Sequence, residues 1–585
     1  MREQFHQVDF CVVGGGMTGV CAAVAAARNG AQVVLMQDRP VLGGNASSEI
    51  RMWVCGAHGA NNRETGILEE IMLENFYRNP TSNYSVWDSV VYEIAFLQPN
   101  LTLLLNCSCN SAEMDGSRIK SVRGWQGTAE TWHTVEAALF ADCSGDSILA
   151  PLTGAEVRIG REAASEFDED IEPPVADKKT MGMSCLIQTR ELDRPVPYTP
   201  PAWANKYLSA DDLPHRMSPG ERFEGSNWWW FELGGEDDSI HDTERLRDEL
   251  LAVAFGVWDH IKNHGDYGAE NWALEWVGFL PGKRESRRYV GDHILTQNDV
   301  RAEGKFEDMV AYGGWSMDDH HPGGIRYAGP PTIFHPAPSP YGIPYRCLYS
   351  RNVENLFCAG RNISATHAAL SSTRVMGTCS ILGQAVGTAA AIAAREGLTP
   401  RGVYEQRMAE LQGLLMEDDC YLPWHARPMA PPSAEAKLTA STGDPEPLRN
   451  GHDRPLGEAD NGWTGPLGSF VEYSWDAPRA ISEVRFTFDS DLDRVFRTGE
   501  RTRGQNMNCC YRSNDPFFRM PDAMVKTFRV EALQADGQWV TVAREGNNHR
   551  RLVRLPVEVE TKAVRFVPEA TWGAAEAHVF AFEVR

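Results

Sequence analysis

Four stretches of this chain hold side chains of the kinds that do chemistry. Gly313-Gly314-Trp315-Ser316-Met317-Asp318-Asp319-His320-His321-Pro322-Gly323 sets two His beside two Asp, in a segment whose glycines and proline read as a loop. A His oriented by an Asp titrates near neutrality and can take a proton from a hydroxyl as a general base. The same types ligate metals, but adjacent His seldom reach one ion, and no metal is expected. Pro281-Gly282-Lys283-Arg284-Glu285-Ser286-Arg287-Arg288-Tyr289 concentrates four cations in an acidic protein, where Arg284 could clamp a carboxylate or a hydroxyl. An ion-paired helix start built on Glu285 is the plain alternative. Asn227-Trp228-Trp229-Trp230-Phe231-Glu232 carries three consecutive indoles, a theme that Trp272, Trp276 and Trp315 repeat. In a strand these must point to alternating faces, so at least one should leave the core and line a cleft, where an indole stacks on a sugar ring or any other flat or apolar ligand. Bracing one domain against its neighbour is the competing role. The fourth stretch, Gly14-Gly15-Gly16-Met17-Thr18-Gly19, has the spacing that lets backbone approach an anion.

The elements around that glycine run decide what it does. Val8 to Val13 is an apolar run of strand length, Val20 to Arg28 is an Ala-rich helix closed by Asn29-Gly30, and Gln32 to Gln37 is a second strand. Strand, glycine turn, helix and strand in that order form a dinucleotide-binding unit. Gly14 makes the tight turn, Gly16 admits a pyrophosphate, Gly19 lets helix and strand close, and the helix start offers N–H groups to the anion. An acid normally binds the adenosine ribose at the end of the second strand. Here Gln37 stands 23 residues after Gly14 and Asp38 follows it, so either side chain could make that contact.

The continuation Arg39-Pro40-Val41-Leu42-Gly43-Gly44-Asn45-Ala46-Ser47 resembles the second glycine motif of flavoproteins of the glutathione-reductase and fumarate-reductase type, which favours FAD over a nicotinamide. Two further segments fit the resemblance. Ala138 to Ser147 looks like the strand and turn that return to the adenosine half of FAD, through Asp142, Gly145 and Asp146. Asn355 to Arg361 is a strand ending in Ala359-Gly360-Arg361, followed by a helix from about Arg374 to Arg395 that Gly377, Gly383 and Gly387 punctuate. The resemblance implies that the start of this helix, with Met376, Gly377 and Thr378, faces the flavin pyrimidine edge, where its dipole would stabilise the reduced form. Taken together, residues 8 to about 415 resemble the FAD-dependent oxidoreductase family found beside carbohydrate-degrading genes, which carries a similar Arg-Glu-Ser-Arg-Arg segment. His367 follows the flavin-binding strand, so the fold would put it near the isoalloxazine. It is the first candidate base, His320 the second and His321 the third, with Arg284 and Arg374 as electrostatic partners. His58 could contact or covalently hold the flavin, although an ordinary loop His is the plainer reading, and Arg51 has the same status.

The expected fold is α/β: a Rossmann-like FAD-binding domain in two parts, residues 1–160 and 351–415, an inserted α+β substrate domain at 161–350, a Pro-rich linker at 416–435 and an all-β antiparallel sandwich at 436–585. The acidic run Glu162 to Glu172 reads as a mobile solvated loop. Strands are expected at Ser469 to Trp475, Ile481 to Phe488, Thr527 to Leu533, Trp539 to Arg544, Ala563 to Val567 and Ala577 to Val584, with a hairpin turn at Asp536-Gly537. That pattern resembles the galactose-binding, discoidin-like sandwich of carbohydrate-active proteins, which implies sugar binding or a purely structural buttress.

Composition narrows the partners. The 585 residues are 42% hydrophobic and 23% charged, a globular balance, and 56 Lys plus Arg against 80 Asp plus Glu give 56 − 80 = −24. That charge opposes nucleic-acid and acidic-membrane partners. The start lacks the pattern of a secretory signal, which suggests the cytoplasm, and no apolar run suggests a membrane span. The thirteen Cys, among them the adjacent Cys509 and Cys510, read as reduced. The leading expectation is an FAD enzyme oxidising a secondary hydroxyl of a sugar or glycoside by hydride transfer to flavin N5, with an unidentified electron acceptor and a homo-oligomer allowed. The alternatives are an FAD enzyme acting at a carbon–carbon bond of a carboxylic acid, with the Arg284 cluster as clamp, and a carbohydrate-binding protein whose flavin is vestigial.

Overall fold

The computed structural model describes residues 1–217, 227–492 and 507–585, which fall into two compact units. The larger takes Met1–His58, Thr81–Leu411 and, of the described residues, 507–517; the smaller takes Gly59–Pro80, the described residues from Gln412 to 492, and Phe518–Arg585.

The larger unit is built on a mixed sheet. Strand β1 (Arg2–Val13) leads through Gly14–Gly16 into helix α1 (Met17–Arg28) and then β2 (Val33–Met36). β3 (Leu101–Leu104), β4 (Cys107–Asp115), β5 (Arg118–Gln126) and β6 (Thr131–Asp142) complete the order β3-β2-β1-β6-β5-β4. β2, β1 and β6 run parallel, while β5 and β4 return antiparallel as a meander. β1 is fully buried only from Phe10 onward, which is why its sequence turns continuously apolar there.

The insert that follows carries two short strands that matter below, β7 (Met317–His320) and β8 (Thr332–His335), paired antiparallel. Its own core gathers Trp228, Trp230, Phe231, Trp258 and Trp272 around the helix Thr243–Asp259. The chain then returns to the first sheet with β9 (Leu356–Cys358), parallel to β6, and continues into α2 (His367–Thr373) and α3 (Met376–Glu396). α3 is long and apolar enough to cross a membrane, but 94% of its apolar window is buried inside the protein. It packs on α1 at glycine contacts: a Cβ on Gly383 would lie 2.1 Å from the Thr18 carbonyl oxygen, and one on Gly387 2.1 Å from that of Ala22.

Several readings change. The three indoles are not in a strand: Trp228, at φ +61°, and Trp230 form a turn and point into the core, which frees Trp229 to face a cavity. Asp318 to His320 lie in a strand, because the loop-like glycines and proline sit outside it at 313–314 and 322–323. The Arg284 segment is two short strands, Gly282–Lys283 and Arg287–Tyr289, rather than a helix start. The acidic run is not a solvated loop, since Glu162, Glu169 and Glu172 are buried and accept hydrogen bonds from the His367 N–H, the Gln297 N–H and the Ala368 N–H. Residues 431–435 of the expected linker form a short helix.

In the smaller unit, β10 (Lys437–Ala440), β11 (Trp463–Pro466), β12 (Val471–Phe488), β13 (Val525–Leu533), β14 (Trp539–Glu545), β15 (Leu552–Thr571) and β16 (Glu576–Val584) form an antiparallel array in the order β11-β16-β12-β15-β13-β14, with β10 on β12. The two strands expected at Ser469 to Trp475 and Ile481 to Phe488 are one strand, β12, irregular between Ser474 and Arg479. Gly537 turns β13 into β14 at φ +87°. Phe486, Phe528, Phe566 and Phe582 pack with ring centroids 4.9–5.8 Å apart to fill the core. All thirteen Cys are free thiols.

Candidate functional site

Register puts four strand ends at one edge of the first sheet. Val13 pairs with Met36 and with Asp142, and Asp142 with Cys358, so β1, β2, β6 and β9 finish side by side. In an open parallel sheet the crevice beyond such ends is where a ligand binds. A cavity of about 660 Å³ opens there in the larger unit.

Its floor is backbone. Gly14 sits at φ +105°, and a Cβ on Gly19 would fall 1.8 Å from the Gly14 carbonyl oxygen, so α1 closes on the turn only with glycine at position 19. The Gly43 N–H donates to the Gly15 carbonyl at 2.9 Å, and a Cβ on Gly44 would come within 3.0 Å of the Gly16 Cα. The two glycine turns therefore abut. Gln37 is tied into them, its Oε1 accepting from the Gly15 N–H at 2.7 Å and its Nε2 donating to the Val41 carbonyl at 3.2 Å. That leaves Asp38 as the acidic side chain on this wall.

Among the residues expected to hold the cofactor, Gly14, Gly16, Met17, Thr18, Gln37, Asp38, Arg39, Gly43, Gly44, Asn45, Gly145, Asp146, Gly360, Arg361 and Met376 line the cavity. Gly19, Ser47, Asp142, Gly377 and Thr378 stand behind it and shape it. The Asp142 carboxylate is spent internally, on the Leu149 N–H at 2.8 Å, the Tyr289 hydroxyl at 2.7 Å and the Ser144 hydroxyl at 2.6 Å. Asp146 is held between Lys283 Nζ at 2.8 Å and Arg361 Nη2 at 2.9 Å; burial opposes its charge, but Arg361 and Lys283 pull its pKa down to about 2. Gly377 donates its N–H to the Cys55 carbonyl at 2.7 Å, pinning the start of α3.

At the other end the wall becomes ionic. His320 Nδ1 lies 2.6 Å from Glu232 Oε2, and its Nε2 3.1 Å from Asp318 Oδ2. Arg284 approaches Glu232 at 3.6 Å and donates to the Trp229 carbonyl and the Ser184 hydroxyl, while Arg374 donates to Asp318 at 3.1 Å. The result is a chain in which basic and acidic side chains alternate: Arg284, Glu232, His320, Asp318, Arg374. Burial opposes both carboxylates, yet Arg284 and His320 hold Glu232 below the usual range, and His320 and Arg374 hold Asp318 well below it. Trp229 stands edge-on to His320 at 5.0 Å.

The structure does not bring His367 to the cavity. It is buried, with Nδ1 2.9 Å from Glu285 and Nε2 3.2 Å from Asp319; burial works against its charge, but these carboxylates raise its pKa well above the ordinary value. An imidazolium locked on both nitrogens has no lone pair for a substrate proton. His321 also lies off the cavity, stacked on Tyr327 at 3.5 Å. His58 does line the wall, over Trp315 at 4.2 Å, whereas Arg51 is packed on Trp276 and Tyr84 outside it. Sequence reasoning missed Glu232 as the partner of His320, and Trp53, Lys283 and Phe334 as wall residues. The Asp-x-His spacing puts Asp318 and His320 on one face of a strand, but nothing in the sequence points to Glu232, 88 residues away. Among the described residues, no group of three or more His, Cys, Asp or Glu is arranged to hold a metal ion.

A model of the FAD dependent oxidoreductase family matches residues 9–415. The chain belongs to that family. Its members depend on FAD, and the walls fit the group. The glycine turns leave a cradle that side chains would fill, and Arg361 Nε, Arg374 Nε and Trp315 Nε1 are buried with no hydrogen-bond partner among the described residues, all on side chains that line the cavity. Buried donors left unmet are costly, and a polar ligand would satisfy them. No protein of curated function matches the chain. Among solved structures, the family 32 carbohydrate-binding module from Streptococcus pneumoniae EndoD is 13% identical, with a TM-score of 0.19, over 26% of this chain and 95% of its own. The corresponding module of C. perfringens NanJ, solved with galactose, is 12% identical, with a TM-score of 0.19, over 27% and 97%.

Proposed function

We propose that this flavoenzyme oxidises a secondary hydroxyl of a sugar or glycoside to the ketone. The observation that carries the reading is the pairing of side chains in the ionic wall. Its two guanidinium groups are each engaged by a carboxylate, Arg284 by Glu232 and Arg374 by Asp318, so neither is free to clamp a carboxylate substrate. A neutral polyol fits that wall better than the organic acid of the alternative reading. Trp229, Trp53 and Trp315 add ring surface for a pyranose face.

FAD, when bound, supplies the two-electron acceptor for the hydrogen on the carbinol carbon. The protein handles the other proton. Glu232 accepts the Nδ1–H of His320, and the substrate hydroxyl takes the place of the Asp318 carboxylate, 3.1 Å away, at Nε2 before Nε2 can take its proton. Asp318, turned toward Arg374 and Thr332, keeps its charge as His320 Nε2 takes the proton and the imidazolium forms. Electrons then pass to an external acceptor, so the net change in substrate is the loss of one hydride and one proton.

The test is product analysis. Turnover of the substrate followed by borodeuteride reduction should place deuterium on a single ring carbon, regenerating the starting sugar and its epimer. Deuterium nowhere on the ring, with a double bond introduced elsewhere, would select the carbon–carbon reading.

A further inference from the structure

The cavity wall does not end at the charged chain. In the β7/β8 hairpin Asp318 pairs directly with Phe334, and His320 with Thr332. Directly opposed residues project to the same face with Cβ atoms about 5 Å apart, so Phe334 stands beside the carboxylate that touches His320 Nε2. Phe334 is 58% exposed although it lines the cavity, which places it on the rim. The bend before Gly282–Lys283 adds Leu280 to the same wall, and its neighbour Phe279 is 61% exposed. A single exposed aromatic is ordinary, but apolar side chains grouped at the mouth of a polar cavity mark a place where a ligand continues outward.

We propose that the substrate is a glycoside carrying an apolar, aromatic aglycone, with the sugar seated at His320 and the aglycone held on Phe334 and Leu280. The inference rests on the sugar-oxidation reading above. Three facts commit it to an aglycone rather than a separate molecule: Phe334 and Leu280 line the same cavity as His320, Phe334 is one cross-strand step from Asp318, and these two side chains are apolar while the wall at His320 is charged and hydrogen-bonding. A glycoside has that same division, a hydroxylated ring joined to an apolar group.

The experiment is the anaerobic reductive half-reaction of the holoenzyme, followed by stopped flow with the phenyl and methyl glycosides of one sugar. Wild type should favour the phenyl glycoside by roughly tenfold or more in dissociation constant, the gain expected from covering one aromatic ring. F334A should lose most of that preference, with the change in the dissociation constant and not in the limiting rate, and F334L should recover part of it. Equal affinities for the two glycosides in wild type, or an unchanged ratio in F334A, would overturn the aglycone assignment while leaving sugar oxidation standing. An unchanged ratio together with slower reoxidation of F334A by a quinone would give the rim to the electron acceptor instead. Reduction by neither glycoside and by no free sugar would remove the underlying reading as well.

Discussion

At the scale of the residue, the account turns on which imidazole can accept a proton. His367 and His320 both meet two carboxylates, but only His320 stands in the cavity wall, where a hydroxyl can reach it. Replacing it should separate binding from chemistry. H320Q should retain FAD and slow flavin reduction by about 10²- to 10⁴-fold, the usual worth of a general base. An unchanged rate, read by anaerobic stopped flow, would remove His320 from the reaction. H367Q makes the converse case. It strips the cation from between Glu285 and Asp319, so its first effect should be lower thermal stability, because a broken buried pair leaves its partners uncompensated. The sequence ranked these two in the opposite order because position after the flavin-binding strand was legible, whereas the carboxylates that converge on His367 come from residues 285 and 319, distant in sequence.

At the scale of the element, much of the cofactor end was readable, because it is local: strand, glycine turn and helix follow one another within thirty residues, and each glycine has a steric reason. G19A tests that logic. Its methyl group would meet the Gly14 carbonyl, forcing α1 away from the turn at a cost of about 1–3 kcal/mol, and the purified variant should carry less FAD and melt lower than wild type. The β7/β8 hairpin was not readable, because glycines and a proline flanking a four-residue strand outweigh a two-residue period. β16 supplies a prediction about pH. His578 on that strand lies 2.7 Å from Asp489 and 2.9 Å from Asp460; burial opposes its charge, but the two carboxylates raise its pKa to about 9. A raised His pKa stabilises the fold fully below the unfolded value of 6.5, and that contribution is lost as pH climbs through about 9, at most roughly 3 kcal/mol. Denaturant midpoints followed by the fluorescence of this unit should fall from pH 6 to pH 9.5, and H578Q should flatten the dependence. The same slope in H578Q would assign it to another group.

At the scale of the whole molecule, the chain is an FAD dependent oxidoreductase over residues 9–415 with an antiparallel β unit of its own core. Composition and motif order announced that division, but not that Gly59–Pro80 would group with the C-terminal unit, since those residues sit within the first hundred and carry no strand signal. Because FAD binds the folded larger unit, stripping it should lower that unit's melting midpoint, and adding it back should restore the midpoint in proportion to ligand excess. The most direct test of the central claim is optical. The purified holoenzyme, held anaerobically, is mixed with neutral monosaccharides and glycosides and, separately, with uronic and dicarboxylic acids, while the flavin band is recorded. The account predicts bleaching by a neutral sugar or glycoside, slowed about 10²- to 10⁴-fold in H320Q at the same concentration; bleaching by the dicarboxylic acids alone would contradict it.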